Sequence, residues 1–136
     1  MSSGGDLFAT GPDSQPLEQD EPEDATNLYE DVFEFVAEHL VHIYARPTEK
    51  NGALTWCPQW HHHPEAAARL TALWKAFEAL RVDPGAGMST WWIEHADPMM
   101  AALTAQDGTF RNCDSQQHRN PPALPTRSSR AAAQSL

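Results

Sequence analysis

The chain contains few cysteines, few basic residues and no long hydrophobic run. Two cysteines among 136 residues cannot build the disulfide framework of a small secreted domain, so a reduced cytosolic setting is the simpler assumption. No stretch approaches the roughly 18 apolar residues that a membrane helix needs. The N-terminus also lacks the basic and apolar regions of a secretory signal. The sequence therefore predicts a cytoplasmic protein that does not enter the membrane.

Basic residues are scarce, and they are unevenly distributed along the chain. The formal net charge is −10, and the segment 1–27 holds seven acidic residues with no Lys or Arg. The segment 28–118 holds six basic residues against twelve acidic ones. Direct nucleic-acid binding by this core is not expected, because phosphate recognition needs clustered Lys and Arg. The acidic block is interpreted as a solvating tail, with weak attraction of a basic partner as the alternative.

Composition divides the chain into three parts. Residues 1–27 carry too few large apolar side chains to offset the entropy lost on ordering, and they are predicted to be a disordered acidic tail. Residues 119–136 are rich in Pro, Ser, Ala and Arg without apolar periodicity, which predicts a second disordered tail. The remaining residues, 28–118, are enough for one compact core.

The first part of this core has the apolar periodicity of a helix. Apolar residues and one histidine recur at spacings of three and four at Leu28, Val32, Phe35, Val36, His39, Leu40, Ile43 and Tyr44. This pattern predicts an amphipathic helix of about five turns. Asn27 or Thr26 is the expected N-cap, and Pro47 is expected to stop the helix.

Two X-Pro signatures predict further helix starts. His63-Pro64-Glu65 places a proline at the first helical position, ahead of an apolar stripe formed by Leu70, Leu73, Trp74, Phe77 and Leu80. Ser89 is the expected cap of a third helix, and Asp97-Pro98 predicts the start of a fourth. The pattern leaves open whether these last two are separate helices or one kinked helix. The predicted fold is all-α, a small bundle of three or four helices with a Trp-rich loop between helices 1 and 2.

Cysteine and histidine residues indicate a zinc site. Structural zinc is usually held by four Cys and His side chains brought together from two separated pairs. Cys57, His63, Cys113 and His118 form a candidate Cys2His2 set, with His95 as an alternate ligand. No tight Cys-x2-Cys pair is present, so buried structural cysteines and helix-capping histidines are the alternative. His63, which precedes Pro64, is expected to cap the second helix.

Signals for catalysis are weaker. His95 and Asp97 are close in sequence, and Cys57 is a conceivable nucleophile beside a histidine. Asp97, however, is already interpreted as a helix cap, and Cys57 has no recognisable oxyanion motif around it. No glycine-rich phosphate loop occurs either. The sequence therefore favours a non-enzymatic role.

Tryptophans supply the third candidate site, a surface for a protein partner. Trp91 and Trp92 are about 100° apart on a helix, so one is expected to anchor the core while the other lies at its edge. A partly exposed tryptophan together with Trp60 would suit an unknown protein partner. The alternative is that Trp91 and Trp92 both pack against the first helix and the 47–62 loop, since a small domain needs large buried side chains.

Two tryptophan-centred motifs carry a resemblance to a known family. Trp56-Cys57-x-x-Trp60 with His63-Pro64-Glu65-Ala66, followed by Met88-Ser89-x-Trp91-Trp92-x-x-His95-Ala96-Asp97-Pro98, resembles a family of small actinobacterial proteins known only as a domain of unknown function. Its members often resemble proteins encoded by accessory genes of plasmids, prophages and integrative elements. The resemblance covers residues 28–118 and implies a mobile-element setting, but it supplies no activity.

The sequence thus favours a small helical accessory protein that acts as a protein-interaction module. The alternative is a zinc-stapled domain with hydrolytic or nucleic-acid-processing chemistry at His95 and Asp97.

Overall fold

The computed structural model describes residues 27–48, 54–127 and Gln134. These residues form three helices and contain no strand, which confirms the predicted all-α class. Helix α1 (residues 32–43) consists of α-helical Val32–Phe35, π-helical Val36–Leu40 and α-helical Val41–Ile43. A 3-10 turn, Trp60–His62, leads into helix α2, Pro64–Leu80. Helix α3 (residues 87–104) consists of Gly87–Thr90, π-helical Trp91–Ala96 and Asp97–Thr104.

No helix in the described part of the chain is long and apolar enough to cross a membrane. The predicted disorder of residues 1–27 falls outside the described residues, apart from Asn27. Residues 119–127, at the start of the second predicted tail, are described and contain neither helix nor strand.

Helix α1 begins later than its apolar periodicity predicts. Asp31 is the N-cap, because its side chain accepts a hydrogen bond from the backbone N–H of Glu34 at 2.9 Å. The backbone N–H groups of Leu28 and Tyr29 instead donate to the carboxylate of Glu78 on α2, at 2.8 and 2.9 Å. The prediction of a five-turn helix capped at Asn27 was therefore wrong, and Thr26 lies outside the described residues.

Helix α2 confirms the proline signature. It starts at Pro64, where the missing N–H costs no helical hydrogen bond, and Glu65 lies in its first turn. Its buried face consists of Ala66, Leu70, Leu73 and Phe77. The helix ends at Leu80, three residues before the sequence Asp83-Pro84-Gly85, which cannot readily continue a helix.

The predicted third and fourth helices form the single helix α3. Ala86 occupies the N-cap position, so the prediction of Ser89 as the cap was wrong. Asp97 has helical backbone angles and its N–H bonds to Trp92 O, five residues back, so it is not a cap either. Pro98 has no N–H for an α-type bond, and the π-helical segment ends directly before Asp97-Pro98, as expected for a helix that continues past a proline.

Helices α2 and α3 approach each other closely at Gly87. A Cβ atom on this residue would lie 2.0 Å from the backbone oxygen of Leu80, far inside van der Waals contact. Glycine is therefore required sterically where α3 begins. At Gly85, two residues earlier, the nearest atom to such a Cβ would be 3.4 Å away.

The core lies among the three helices and the loop that precedes α2. Rings of Phe35, Phe77 and Trp91 pack against one another with centroids 5.3–6.3 Å apart. The loop is attached to the end of α3, because Thr55 N–H donates to Thr104 O at 3.0 Å. Both cysteines are buried in this core.

Glu78 makes the stability of the fold depend on pH. Burial alone would raise the pKa of its carboxyl group, but the N–H donors of Leu28 and Tyr29 and the guanidinium of Arg81 outweigh burial and lower this pKa. A carboxyl group whose pKa is lower in the folded state contributes stability at neutral pH, and this contribution is lost as the pH falls through that lowered value.

We expect Glu78→Gln to reduce the free energy of unfolding at pH 7 by about 1–3 kcal/mol, because the hydrogen bonds from Leu28 N–H and Tyr29 N–H lose their charged acceptor. The variant should also lose less stability than the parent between pH 7 and about pH 3. Urea unfolding at both pH values measures this, and Glu94→Gln, at an exposed position, is the control. The same acid-induced loss of stability in Glu78→Gln as in the parent would contradict the assignment.

Candidate metal centre

Four of the five predicted metal ligands converge in the structure. One ligand atom from each of Cys57, His63, Cys113 and His118 lies within 4.8 Å of all the others. Cys57 Sγ is 3.2 Å from His118 Nδ1, and Cys113 Sγ is 3.4 Å from His63 Nε2. His95 is not a member of this group; it lies half-buried on the π-helical segment of α3.

The first ligand pair is positioned by the start of α2. Cys57 lies in the loop, and the 3-10 turn Trp60–His62 brings the chain round to His63. His63 occupies the N-cap position of α2, but its side chain makes no capping hydrogen bond. The predicted position of His63 as the cap of this helix is confirmed. Its side chain does not supply the capping hydrogen bond, because the imidazole contacts Cys113 instead.

The second ligand pair is positioned by a tight loop. Asp114 Oδ1 accepts hydrogen bonds from the N–H groups of Gln116 and Gln117, both at 2.8 Å. Asp114 N–H in turn donates to Gln117 O at 3.0 Å. Such an Asx turn fixes the backbone locally, and it holds Cys113 and His118 toward the same side of the chain.

Backbone N–H groups approach both cysteine sulfurs. Arg119 N–H donates to Cys113 Sγ at 3.3 Å. The backbone N–H of Gln59 forms a hydrogen bond with Cys57 that favours the thiolate. Donors of this kind stabilise the charged form of a ligand, which is the form that binds metal. Neither contact is needed by a cysteine that is only an apolar core residue.

The cluster is largely shielded from water. Cys57, His63 and Cys113 are buried, and His118 is half-buried. The Phe110 ring forms an apolar wall, with its centroid 5.1 Å from that of His63.

Burial favours the neutral forms of Cys57 and His63. Desolvation is the main effect that raises the pKa of the Cys57 thiol to about 11, and the neighbouring Cys113 adds to it. Burial also lowers the pKa of His63, and the neighbouring imidazoles of His118 and His62 lower it further. A neutral imidazole is the form that ligates a metal, whereas each thiol must release its proton on binding. Metal binding is therefore expected to release protons.

The three tryptophans of the predicted partner surface differ in how deeply they are buried. Trp91 is completely buried, and its Nε1 donates to Leu73 O at 3.2 Å. Trp60 is only 7% exposed and is covered by the ring of Phe33 at 5.3 Å. Trp92 is half-buried. Of the three, Trp92 alone presents substantial surface.

Asp97, the second residue of the conceivable catalytic pair, already has a hydrogen-bond partner. Asp97 accepts a hydrogen bond from the hydroxyl of Tyr44 at 2.5 Å, which joins the end of α1 to α3. Burial and this hydrogen bond raise the pKa of Tyr44.

Sequence reasoning did not identify the residues that support the cluster, namely Gln59, Asp114 and Arg119. Asp114 directly after Cys113 was an available signal, since Asp often initiates turns. Gln59 and Arg119 contact the sulfurs through their backbone N–H groups. Every residue except proline has such a group, so residue type does not predict these contacts.

Comparison with known protein families found a match that covers most of the chain. A family profile described as "Domain of unknown function (DUF4913)" matches residues 29–130. No curated protein and no solved structure is significantly similar to the chain.

Proposed function

This chain belongs to the DUF4913 family, and we propose that it is a zinc-stapled helical domain. Cys57, His63, Cys113 and His118 would hold one Zn²⁺, and the observation that carries the proposal is the convergence of their ligand atoms within 4.8 Å. The two backbone N–H donors to sulfur support it independently.

The donor set selects the metal. Two thiolates and two imidazoles suit a tetrahedral site of borderline-soft character, and zinc is the usual occupant of such a site in proteins. Hard cations such as Mg²⁺ and Ca²⁺ prefer oxygen ligands, which this cluster does not offer.

The number of protein ligands favours a structural ion over a catalytic one. A catalytic zinc keeps an open position for water or substrate, whereas four protein side chains fill a tetrahedral site. His95 stands outside the cluster, and Asp97 is bonded to Tyr44. The hydrolytic and nucleic-acid-processing alternative therefore has no supporting geometry among the described residues.

The ion would join parts of the chain that have little regular structure of their own. Cys57 lies in the irregular loop before α2, and Cys113 and His118 lie in the segment after α3, which has neither helix nor strand up to residue 127. Such segments bury few backbone hydrogen bonds and gain the most from a cross-link. The proposed role of the staple is to hold a small helical surface rigid for a protein partner, in the accessory, mobile-element setting that the family resemblance suggests.

Elemental analysis of protein purified without a histidine tag tests the staple. We expect one zinc per chain, and its removal by a strong chelator should lower the melting temperature. Cys57→Ser/Cys113→Ser should contain no zinc. Untagged protein that purifies without zinc and takes none up when zinc is added, or a melting temperature that chelator leaves unchanged, would contradict the proposal.

A further inference from the structure

The outward side of helix α1 has an unusual combination of apolar and acidic residues. We call its exposed residues, together with the two exposed residues directly before it, the α1 outer face: Glu30, Asp31, Phe33, Glu34, Ala37, Glu38, Val41 and His42. Phe33 is 54% exposed and Val41 is 38% exposed, although both are large apolar side chains. The fully buried contacts of α1 with the core are made by Phe35, Val36 and Leu40. One side of the Phe33 ring packs against Trp60, and the rest of it faces solvent.

The π-helical segment aligns the apolar residues of this face. In a regular α-helix, positions eight residues apart are about 80° out of line. The i→i+5 bonding of Val36–Leu40 widens the turn between Phe33 and Val41. Phe33, Ala37 and Val41, spaced four apart through this segment, therefore form a straighter apolar stripe than an α-helix would give.

A row of carboxylates runs beside the stripe. Glu34 and Glu38 are four residues apart on α1, and Glu30 and Asp31 are exposed directly before it. The Glu34 carboxylate accepts a hydrogen bond from the backbone N–H of Glu30 at 2.6 Å. The sequence contains no Lys or Arg before Arg46. Within the described residues the ion pairs are Glu65–Arg69 and Glu78–Arg81, so the acidic row is not neutralised by them.

We propose that the α1 outer face binds a basic amphipathic helix of a protein partner. The apolar stripe matches the i, i+4, i+8 anchors of such a helix, and the acidic row matches Lys or Arg at its flanks. A nucleic acid or an anionic membrane would be repelled by the same carboxylates. A second copy of this chain would oppose one acidic row to another, which is unfavourable. This surface contains none of the four cluster residues, so its role extends beyond the zinc staple.

A synthetic peptide tests the surface without knowledge of the natural partner. The probe is a fluorescent helix of about 18 residues with Leu on one side and Lys on the other, and its control has Glu in place of Lys. The full chain should bind the Lys peptide and not the Glu peptide. Binding should weaken as salt is raised from about 0.05 to about 0.5 M, because exposed charges are screened.

Matched variants locate the binding. Glu38→Lys/Val41→Ser should weaken binding of the Lys peptide by about tenfold or more, since it reverses a charge and removes an anchor. Ile93→Ser/Glu94→Lys makes the same chemical changes on the exposed side of α3, where Ile93 is 68% exposed, and should change affinity by less than about twofold.

Zinc content and melting temperature, measured on both variants, distinguish failure of this surface from failure of the staple. Equal weakening by the two double variants, binding of the Glu peptide, or no binding of the Lys peptide would overturn the proposal. Self-association of the parent that Glu38→Lys/Val41→Ser abolishes would also overturn it, in favour of a dimer interface.

Discussion

His63→Ala is expected to lose the bound zinc and much of the stability of the fold. The variant removes one of four ligands and leaves Cys57, Cys113 and His118 around an incomplete site. Because structural zinc contributes on the order of 10 kcal/mol to the folding of small zinc domains, we expect a loss of at least about 3 kcal/mol. For a domain of this size that corresponds to a fall in melting temperature of roughly 10–25 °C.

His61→Ala is the matched control, because it changes the same residue type two positions earlier in the same histidine run. His61 is exposed and packs its ring against Phe33 and Trp60, outside the cluster. We expect it to retain one zinc per chain and to melt within a few degrees of the parent. Calorimetry and elemental analysis measure both quantities. Equal zinc loss in the two variants, or full zinc retention in His63→Ala, would show that His63 is not a ligand.

Trp91→Ala is expected to be the most damaging change away from the metal centre. The side chain is completely buried, contacts the rings of Phe35 and Phe77, and donates a hydrogen bond to Leu73 O. Replacing a buried tryptophan with alanine leaves a large cavity and costs about 3–5 kcal/mol. The free energy of unfolding, measured with urea, should fall by about this amount.

Trp92→Ala tests the same residue type one position later. Trp92 is half-buried, and its outer contact is the ring of Tyr44 at 5.4 Å, so the expected cost is only about 1–2 kcal/mol. The contrast between neighbours depends on which side chain faces the core. A larger loss for Trp92→Ala than for Trp91→Ala would contradict the packing of α3 described above.

Local signals predicted α2 well and predicted the ends of the other helices poorly. Pro64 and its apolar stripe are contained within α2, so the pattern alone locates its start. The segment before α1 is held in a non-helical conformation, and Glu78, some 50 residues further along the chain, accepts hydrogen bonds from the N–H groups of Leu28 and Tyr29 there. Such a long-range contact cannot be read from local periodicity. The continuity of α3 depends on a π-helical segment before Pro98, and no residue pattern distinguished this from a helix break.

In the candidate site as well, residue types could be predicted from the sequence, whereas the features that depend on tertiary geometry could not. Cys and His spacing was sufficient to propose Cys57, His63, Cys113 and His118 together, because the chemistry of zinc restricts its ligands to few residue types. Spacing could not separate His95 from this set, since its distance from the others depends on how α3 packs. The role of His63 was also ambiguous, because a residue before a helix-starting proline can either cap the helix or turn its side chain elsewhere.

The exposed α1 outer face was missed for a related reason. Phe33 was not part of the predicted apolar stripe. The acidic residues on either side of it in the sequence are typical of a solvent-exposed helix face. Its alignment with Val41 follows from the π-helical segment Val36–Leu40, which sequence periodicity does not reveal.

X-ray absorption spectroscopy at the zinc edge is the most direct test of the metal centre, because it reports the atoms bound to the ion. Zinc-loaded, untagged protein should show two sulfur ligands at about 2.3 Å and two nitrogen ligands at about 2.0–2.1 Å. His63→Ala should lose this signature, and His61→Ala should keep it. A coordination shell of nitrogen and oxygen alone, as expected if zinc merely bound the exposed histidine run, would contradict the zinc staple.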